Sequence, residues 1–207
     1  MIGLLRALAL TGGEWVIYIL IAASVLAVAI MIERGIVLAR ERKDFEKVRD
    51  LFFSKIHNRE QLQNISEELG KLGGYTAKVL SSGLSQQIHG AESVEEQIAS
   101  ITTMERQKLE ARMLVLGTLG NNAVYIGLFG TVLGVIKAFN DLAQSAGAGP
   151  EVVMQGLSEA LIATAVGLMV ALPCVISFNV YQKKIKDLLG ETESLARLIL
   201  VRLKSKS

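Results

Sequence analysis

Residues 160–182 read ALIATAVGLMVALPCVISFNVYQ, a run without a single Asp, Glu, Lys or Arg. A helix needs about 20 consecutive apolar residues to cross the hydrocarbon core of a bilayer, and this run is long enough. Two more uncharged runs have comparable length: WVIYILIAASVLAVAIMI at 15–32 and MLVLGTLGNNAVYIGLFGTVLGVI at 113–136. Because no strand-like alternation stands out elsewhere, the sequence predicts an all-α integral membrane protein with three transmembrane helices.

The rest of the chain is as polar as these runs are apolar. Hydrophobic residues make up 51% of the 207 residues, yet 20% are charged, which is typical of alternating apolar and polar blocks. The net charge of +2 gives no support to a nucleic-acid partner. The single cysteine, Cys174, excludes an intrachain disulfide. His57 and His89 lack a second ligand at metal spacing, so we expect no metal site and no cofactor.

The distribution of Lys and Arg predicts the orientation of the spans, since cytoplasmic flanks carry the excess of these residues. Three flanks are basic and hold Arg34, Arg40, Arg42, Lys43, Arg106, Lys108, Arg112, Lys183, Lys184 and Lys186. The opposite side holds only Arg6 and Lys137. We therefore predict an outer N-terminal segment at 1–14, a cytoplasmic helical domain at 33–112, a short outer loop at 137–159 and a cytoplasmic tail at 183–207.

The cytoplasmic segment has the pattern of long helical extensions. One helical stripe combines Phe45, Val48, Leu51, Phe52 and Ile56. Ser93 and Glu96 have the spacing of a capping box, so a helix is expected to begin there and to run unbroken into the second span. Glu33 and Arg34 follow the first apolar run where a signal peptide would have a small-residue cleavage site. We therefore interpret that run as a retained helix.

Small residues are concentrated in the second and third spans. Gly127, Gly130 and Gly134 lie in the second span and Gly167 lies in the third. Such residues let helix backbones approach closely in lipid, and we predict that these four pack the helices together. The GxxxG pattern is common in membrane bundles, so it indicates helix packing and nothing more specific. Pro173 lies in mid-span without a backbone donor, and a kink is expected there.

Three polar residues of the same spans are candidates for function: Thr131, Thr164 and Glu159. A threonine hydroxyl can bond back to its own helix, and a carboxylate at the first turn of a helix is stabilised by the helix dipole and by outside water. Each residue alone is therefore compatible with plain packing or hydration. Glu159 and Thr164 are five residues apart, about 140° around a helix. They can reach one cavity only if several helices or subunits surround it.

Two long motifs carry a resemblance to a known family. They are GLFGTVLGVIKAF at 127–139 and SEALIATAVGLMVALPCVISFNVY at 158–181. With the three spans and the large segment between the first and the second, the similarity covers nearly the whole chain. The sequence resembles the MotA/TolQ/ExbB proton-channel family, on its ExbB/TolQ branch.

The resemblance implies a multi-pass inner-membrane protein of a diderm bacterium, with the N-terminus in the periplasm and the C-terminus in the cytoplasm. It implies a ring-forming homo-oligomer, a pentamer in ExbB-like proteins, around the single helices of two copies of an ExbD- or TolR-like partner. Proton flow then drives motion that is passed to a TonB-, Tol- or gliding-type envelope partner. Matched by position, the resemblance makes Thr131 and Thr164 pore-facing threonines and Glu159 the functional carboxylate of the third span.

The chain departs from the family pattern in front of GLFGTV. Many relatives carry a proline about three residues before this motif, whereas residues 121–126 read NNAVYI. The local bend of the second span is therefore not implied by the resemblance.

Two classes of function remain open. The first is a proton-channel motor subunit whose partner supplies the titrating carboxylate, because this chain has no acidic residue deep inside a span. The second is a non-conducting scaffold that holds the single-span partner. An enzyme has no support, since the sequence shows no phosphate loop after a strand and no nucleophile–base pair.

Overall fold

The computed structural model of the protein describes residues 11–55, 59–144 and 150–204. Within these ranges the regular elements are helices, with one short 3₁₀ turn at Gln87–His89 and no strand. The helices are α1 (Glu14–Lys55), α2 (Arg59–Lys71), α3 (Tyr75–Ser85), α4 (Ala91–Leu109), α5 (Met113–Gln144) and α6 (Pro150–Lys204). Three of them, α1, α5 and α6, are long and apolar enough to cross a membrane. The prediction of an all-α protein with three membrane-spanning helices is confirmed.

The chain divides into two compact units. Unit 1 contains residues 11–32 and 112–179, and unit 2 contains residues 33–111 and 180–204, as far as the structure describes them. Helices α1 and α6 each contribute one part to unit 1 and another to unit 2. The divisions of α1 and α6 follow the composition, because each helix changes there from an uncharged run to a charged one.

In unit 1 the backbones of α5 and α6 approach closely and run antiparallel. A Cβ added to Gly120 would lie 3.2 Å from Cys174 Cβ, whereas one added to Gly134 would lie 2.6 Å from Ala160 Cβ. Later residues of α5 therefore contact earlier residues of α6. Between these two levels, a Cβ on Gly127 would lie 2.7 Å from the carbonyl oxygen of Ala163. Close approach of this kind needs small residues at the contact.

Helix α1 packs on the same pair through its first turns. A Cβ added to Gly13, just before the helix, would lie 2.5 Å from the carbonyl oxygen of Gly130. Trp15 meets Phe129 edge to face with ring centroids 6.3 Å apart, a favourable arrangement for aromatic pairs. Ser177 donates a hydrogen bond to the Met31 sulfur at 3.0 Å. These contacts tie all three apolar helices into one bundle.

Unit 2 has its own core. Phe45, Val48 and Phe52 of the predicted stripe are buried and Leu51 is half-buried, whereas Ile56 lies outside the described residues. A buried pair of hydroxyls, Thr76 Oγ1 and Thr192 Oγ1, is joined at 2.8 Å. The Thr192 hydroxyl also donates to the carbonyl of Leu188 at 2.8 Å. Both polar groups are therefore satisfied inside the core, as burial requires.

Ion pairs connect α3 and α4 at the edge of this core. Lys78 Nζ lies 3.2 Å from a Glu105 carboxylate oxygen, and Lys108 pairs with the same carboxylate. Burial alone would raise the pKa of Glu105, but the hydrogen bonds and charges of the two lysines hold it below its ordinary value. Burial also raises the pKa of Tyr75.

The start of α4 corrects one expectation. The helix begins at Ala91, with Gly90 as its N-cap at φ 98° and no side-chain cap hydrogen bond. Ser93 lies inside the first turn, where its hydroxyl donates to the carbonyl of His89 at 3.4 Å. The predicted capping box is therefore wrong. Ser93 and Glu96 have the spacing of a capping box, but the helix starts earlier. Gly90 is its N-cap because glycine readily adopts the positive φ that is found there.

The junction between α4 and α5 corrects a second expectation from the sequence. The expected unbroken helix is interrupted after Leu109, and Arg112 takes a left-handed φ of 62° before α5 begins at Met113. Arg34 Nη1 donates to the carbonyls of Lys108 and Leu109 at 3.4 and 3.3 Å. A continuous helix would have satisfied these carbonyls with its own next-turn amides. The buried guanidinium of Arg34 takes over that role for Leu109 and adds a donor to the Lys108 carbonyl, which also accepts the Ala111 amide at 3.4 Å.

Helices also occupy most of the predicted outer loop. Within 137–159, residues 137–144 belong to α5 and residues 150–159 belong to α6. Pro150 is the first residue of α6, a position at which its missing N–H costs nothing and its φ suits the helix. Further along, α6 continues through Pro173 as one helix, so the proline does not end it. A kink at Pro173 stays a prediction.

Candidate ion pathway

Two threonine hydroxyls meet between α5 and α6. Thr131 Oγ1 and Thr164 Oγ1 lie 2.5 Å apart, and Thr131 also donates to the carbonyl of Gly127 at 3.2 Å. Both side chains are half-buried. When Thr131 donates to Gly127, Thr164 is left as the donor of the shared bond. The pair is therefore a short chain of hydroxyls that ends on a backbone carbonyl.

The glycines of the two helices explain why these hydroxyls can meet. A Cβ on Gly127 would lie 3.1 Å from Thr164 Cα, and one on Gly167 would lie 2.7 Å from the carbonyl oxygen of Ala123. Each glycine thus lies against the backbone of the opposite helix, one turn from a threonine. Gly130 and Gly134 continue the contact toward Ala163 and Ala160. Pro173 lies nine residues beyond Thr164 and is exposed.

Glu159 lies apart from the threonine pair. Its side chain is exposed, and Oε1 accepts a hydrogen bond from Gln155 Nε2 at 3.2 Å. Since α6 begins at Pro150, Glu159 is nine residues into the helix rather than in its first turn. The dipole effect falls off within the first turn, so the expected dipole stabilisation of this carboxylate is wrong.

Instead, Glu159 lines a cleft in unit 1. The cleft has a volume of about 460 Å³ and lies between the start of α1, the end of α5 and the early turns of α6. Two other carboxylates line it, Glu14 and Asp141, together with Lys137. Lys137 Nζ is 3.8 Å from Glu14 Oε1, and it is the one basic residue among the described residues that line the cleft. We call this space the three-carboxylate cleft.

Sequence reasoning did not select Glu14 and Asp141 as candidate site residues. Each lies beside an apolar run, at the end that was predicted to face outward, and this was the available signal. Many exposed acids share that property, however. Only the packing of α1 against α5 and α6 brings these two to the same space as Glu159.

A bound metal is not indicated at this cleft. In the part of the chain that the structure describes, no three His, Cys, Asp or Glu side chains are close enough together to hold a metal ion. The carboxylates of the cleft are therefore spread over its walls.

Comparison with known proteins identifies the family. A model of the MotA/TolQ/ExbB proton channel family matches residues 71–194, which include the threonine pair and Glu159. The Tol-Pal system protein TolQ of Pseudomonas aeruginosa is 31% identical over 193 residues, or 88% of this chain and 84% of the relative. TolQ of Haemophilus influenzae is 31% identical over 177 residues, with 80% and 77% covered.

A third relative is an ExbB protein, whereas the first two are TolQ proteins. The biopolymer transport protein ExbB of Xanthomonas campestris is 32% identical over 116 residues, which cover 56% of this chain and 46% of that protein. The resemblance inferred from the two motifs is confirmed. With its three membrane-spanning helices, the chain belongs to the MotA/TolQ/ExbB proton channel family, on the ExbB/TolQ branch, as an inner-membrane subunit of an energy-transducing complex.

Proposed function

We propose that this chain is the proton-channel motor subunit of its complex. In this proposal several copies, five by analogy with ExbB-like proteins, form a ring around two copies of an ExbD- or TolR-like single-span partner. The proton motive force drives the two components against each other, and an envelope-spanning TonB-, Tol- or gliding-type protein receives the motion. The observation that supports the proposal is the hydroxyl pair of Thr131 and Thr164 at 2.5 Å, two residues that belong to the second and third uncharged runs.

The chemistry of these residues favours a division of labour with the partner. Threonine hydroxyls relay hydrogen bonds but do not titrate at physiological pH. The three uncharged runs of this chain contain no acidic residue, and a proton relay through a membrane usually includes one. We therefore assign the proton-carrying carboxylate to the partner helix. Thr131 and Thr164 supply a polar track, and Glu159 supplies charge at the entrance.

The proposed orientation places the three-carboxylate cleft on the periplasmic side. The basic flanks of the spans support a cytoplasmic location for residues 33–112 and 183–207. Glu14, Asp141 and Glu159 all lie at the opposite end of their spans. Protons entering from the periplasm would then meet these carboxylates before they reach the threonine pair.

Removal of either hydroxyl tests the proposal. Valine has nearly the shape of threonine without its oxygen, so we expect Thr131→Val and Thr164→Val to lower proton flux at least about tenfold while the complex still assembles. Flux is measured as proton uptake into vesicles that contain the chain with its co-expressed single-span partner. Thr131→Ser and Thr164→Ser keep the hydroxyl and serve as matched controls that should retain most of the flux.

Two results would contradict this assignment. Wild-type flux in both valine variants would show that the hydroxyls only pack. Equal flux from vesicles that lack the partner would show that the carrier carboxylate is not on the partner.

A non-conducting scaffold is the alternative, and the tight glycine packing of α5 and α6 is the observation that favours it. A scaffold would need the shapes of the two helices but not their polar groups. It should therefore tolerate Glu159→Ala as well as both valine substitutions in an assay of energy-dependent transport. A motor subunit should lose activity in all three variants.

A further inference from the structure

The three-carboxylate cleft is formed within one copy of the chain, and this position suggests a role. We propose that the cleft is a water-filled entrance, present in each protomer, which concentrates cations before they reach the Thr131–Thr164 pair. In this role Glu14 and Asp141 act with Glu159. The inference rests on the proposed function, because it supplies the entrance to the same pathway.

The charges of the cleft favour cations. Three acidic residues, one from each helix, line the cleft, and Lys137 is the one basic residue among its described lining. Lys137 is 3.8 Å from Glu14 Oε1, a separation at which the two charges attract without forming a short hydrogen bond. Within the described residues neither Asp141 nor Glu159 forms an ion pair. The described lining therefore has more acidic than basic side chains, and an excess of negative charge beside low-dielectric walls raises the local concentration of cations.

The cleft is large enough to hold many water molecules. Its volume is about 460 Å³, and each water occupies about 30 Å³ in the liquid, so it has room for on the order of fifteen waters. Polar side chains from all three helices line it. The dispersed carboxylates do not form a metal-holding group within the described parts of the chain. A hydrated cation, including hydronium, therefore fits the cleft better than a coordinated ion.

The inner end of the cleft lies next to the threonine pair. Ala163 is the cleft-lining residue farthest along α6, and it directly precedes Thr164. Across the contact, a Cβ added to Gly130 would lie 2.9 Å from Ala163 Cβ, and Gly130 directly precedes Thr131. The two residues that precede the threonines thus touch where the cleft ends. In the proposed pathway, this contact is where the cleft leads to the hydroxyl pair.

Charge-selective labelling tests the cleft without reference to transport. Ile162 lines the cleft and is half exposed, whereas Met154 is exposed on the same helix but does not line it. Ile162→Cys and Met154→Cys are introduced into full-length Cys174→Ala protein in spheroplasts. Each is treated with membrane-impermeant methanethiosulfonates, one cationic and one anionic. At Ile162→Cys we expect the cationic reagent to react on the order of tenfold faster than the anionic one.

Neutralisation and salt provide the controls for this labelling. The preference for the cationic reagent should nearly disappear when Glu14→Gln and Asp141→Asn are added, and it should weaken at high ionic strength. Glu151→Gln removes a carboxylate from the same end of α6 but outside the cleft, so it should leave the preference unchanged. Equal rates for both reagents at Ile162→Cys, or an equal preference for the cationic reagent at Met154→Cys, would overturn the proposal.

Proton uptake then tests whether the cleft lies on the pathway. Glu14→Gln with Asp141→Asn should reduce flux severalfold at low ionic strength and less at high ionic strength, because salt screens the attraction. Lys137→Gln removes a positive charge from the cleft and should therefore raise flux. Charge-selective labelling with unchanged flux would show that the cleft attracts cations off the pathway, and would overturn its role as an entrance. If Thr131→Val loses flux but Glu14→Gln with Asp141→Asn does not, the result supports the proposed function and contradicts the role of the cleft as an entrance.

Discussion

At the scale of single residues, Arg34 shows how one buried charge determines local chain geometry. Its side chain is 7% exposed, and it donates to the last carbonyls of α4 and to Glu33. Cations at the C-terminal end of a helix are favourable because the exposed carbonyls carry partial negative charge. The Nε atom is buried without a hydrogen-bond partner in the described structure, which offsets part of this gain. Arg34 is therefore a structural residue that holds the break before α5.

We expect Arg34→Gln to destabilise this junction by about 2 kcal/mol, because it leaves buried carbonyls without their charged donor. Hydrogen–deuterium exchange should rise at residues 108–113, and the thermal midpoint of the purified complex should fall. Arg40→Gln removes an exposed arginine from the same helix and serves as the matched control. If both variants exchange alike, the guanidinium does not hold the break.

At the scale of helices, the contact of α5 with α6 depends on two glycines that face each other. A Cβ on Gly127 would lie 3.2 Å from Gly167 Cα, and one on Gly167 would lie 3.1 Å from Gly127 Cα. Neither neighbour is a flexible side chain, so an added methyl group must move a backbone. The threonine pair lies within one turn of both glycines, and its geometry depends on this spacing.

Gly127→Ala or Gly167→Ala should therefore destabilise the bundle by about 1–3 kcal/mol through overpacking. Both should also lower proton flux, since the hydroxyls of Thr131 and Thr164 are moved apart. Gly190→Ala is the matched control on α6, because nothing lies within 4 Å of the added Cβ. It should raise stability by up to about 1 kcal/mol, as alanine favours a helix over glycine. Thermal denaturation and flux assays that rank all three alike would contradict this account.

At the scale of the whole molecule, the outer face of α5 is unusual for a lipid-facing helix. Tyr125, Leu128 and Phe129 are exposed there beside Asn121 and Asn122. Asn122 donates to the carbonyl of Thr118 at 2.8 Å, whereas Asn121 makes no hydrogen bond within the described residues. An unsatisfied amide in hydrocarbon costs several kcal/mol. This face is therefore expected to be covered by another copy of the chain or by lumen water.

The purified protein should accordingly behave as a homo-oligomer. Native mass spectrometry should find a multiple of the 22.4 kDa chain, with five copies as the number implied by family resemblance. Asn121→Leu should weaken this assembly, while Leu161→Phe, an apolar exchange at an exposed position of α6, should leave it intact. A stable monomer in mild detergent would contradict the prediction.

The sequence by itself determined the number of membrane-spanning helices and the family, because hydropathy and motifs are properties of consecutive residues. It also indicated Thr131, Thr164 and Glu159 through the family motifs. Tertiary structure decided which of these groups meet: the two threonines pair, whereas Glu159 joins Glu14 and Asp141 in a separate cleft. The physical reason is that such meetings depend on the rotation and separation of whole helices. Backbone contacts at glycines determine the rotation and the separation of the helices, and no local sequence pattern predicts these contacts.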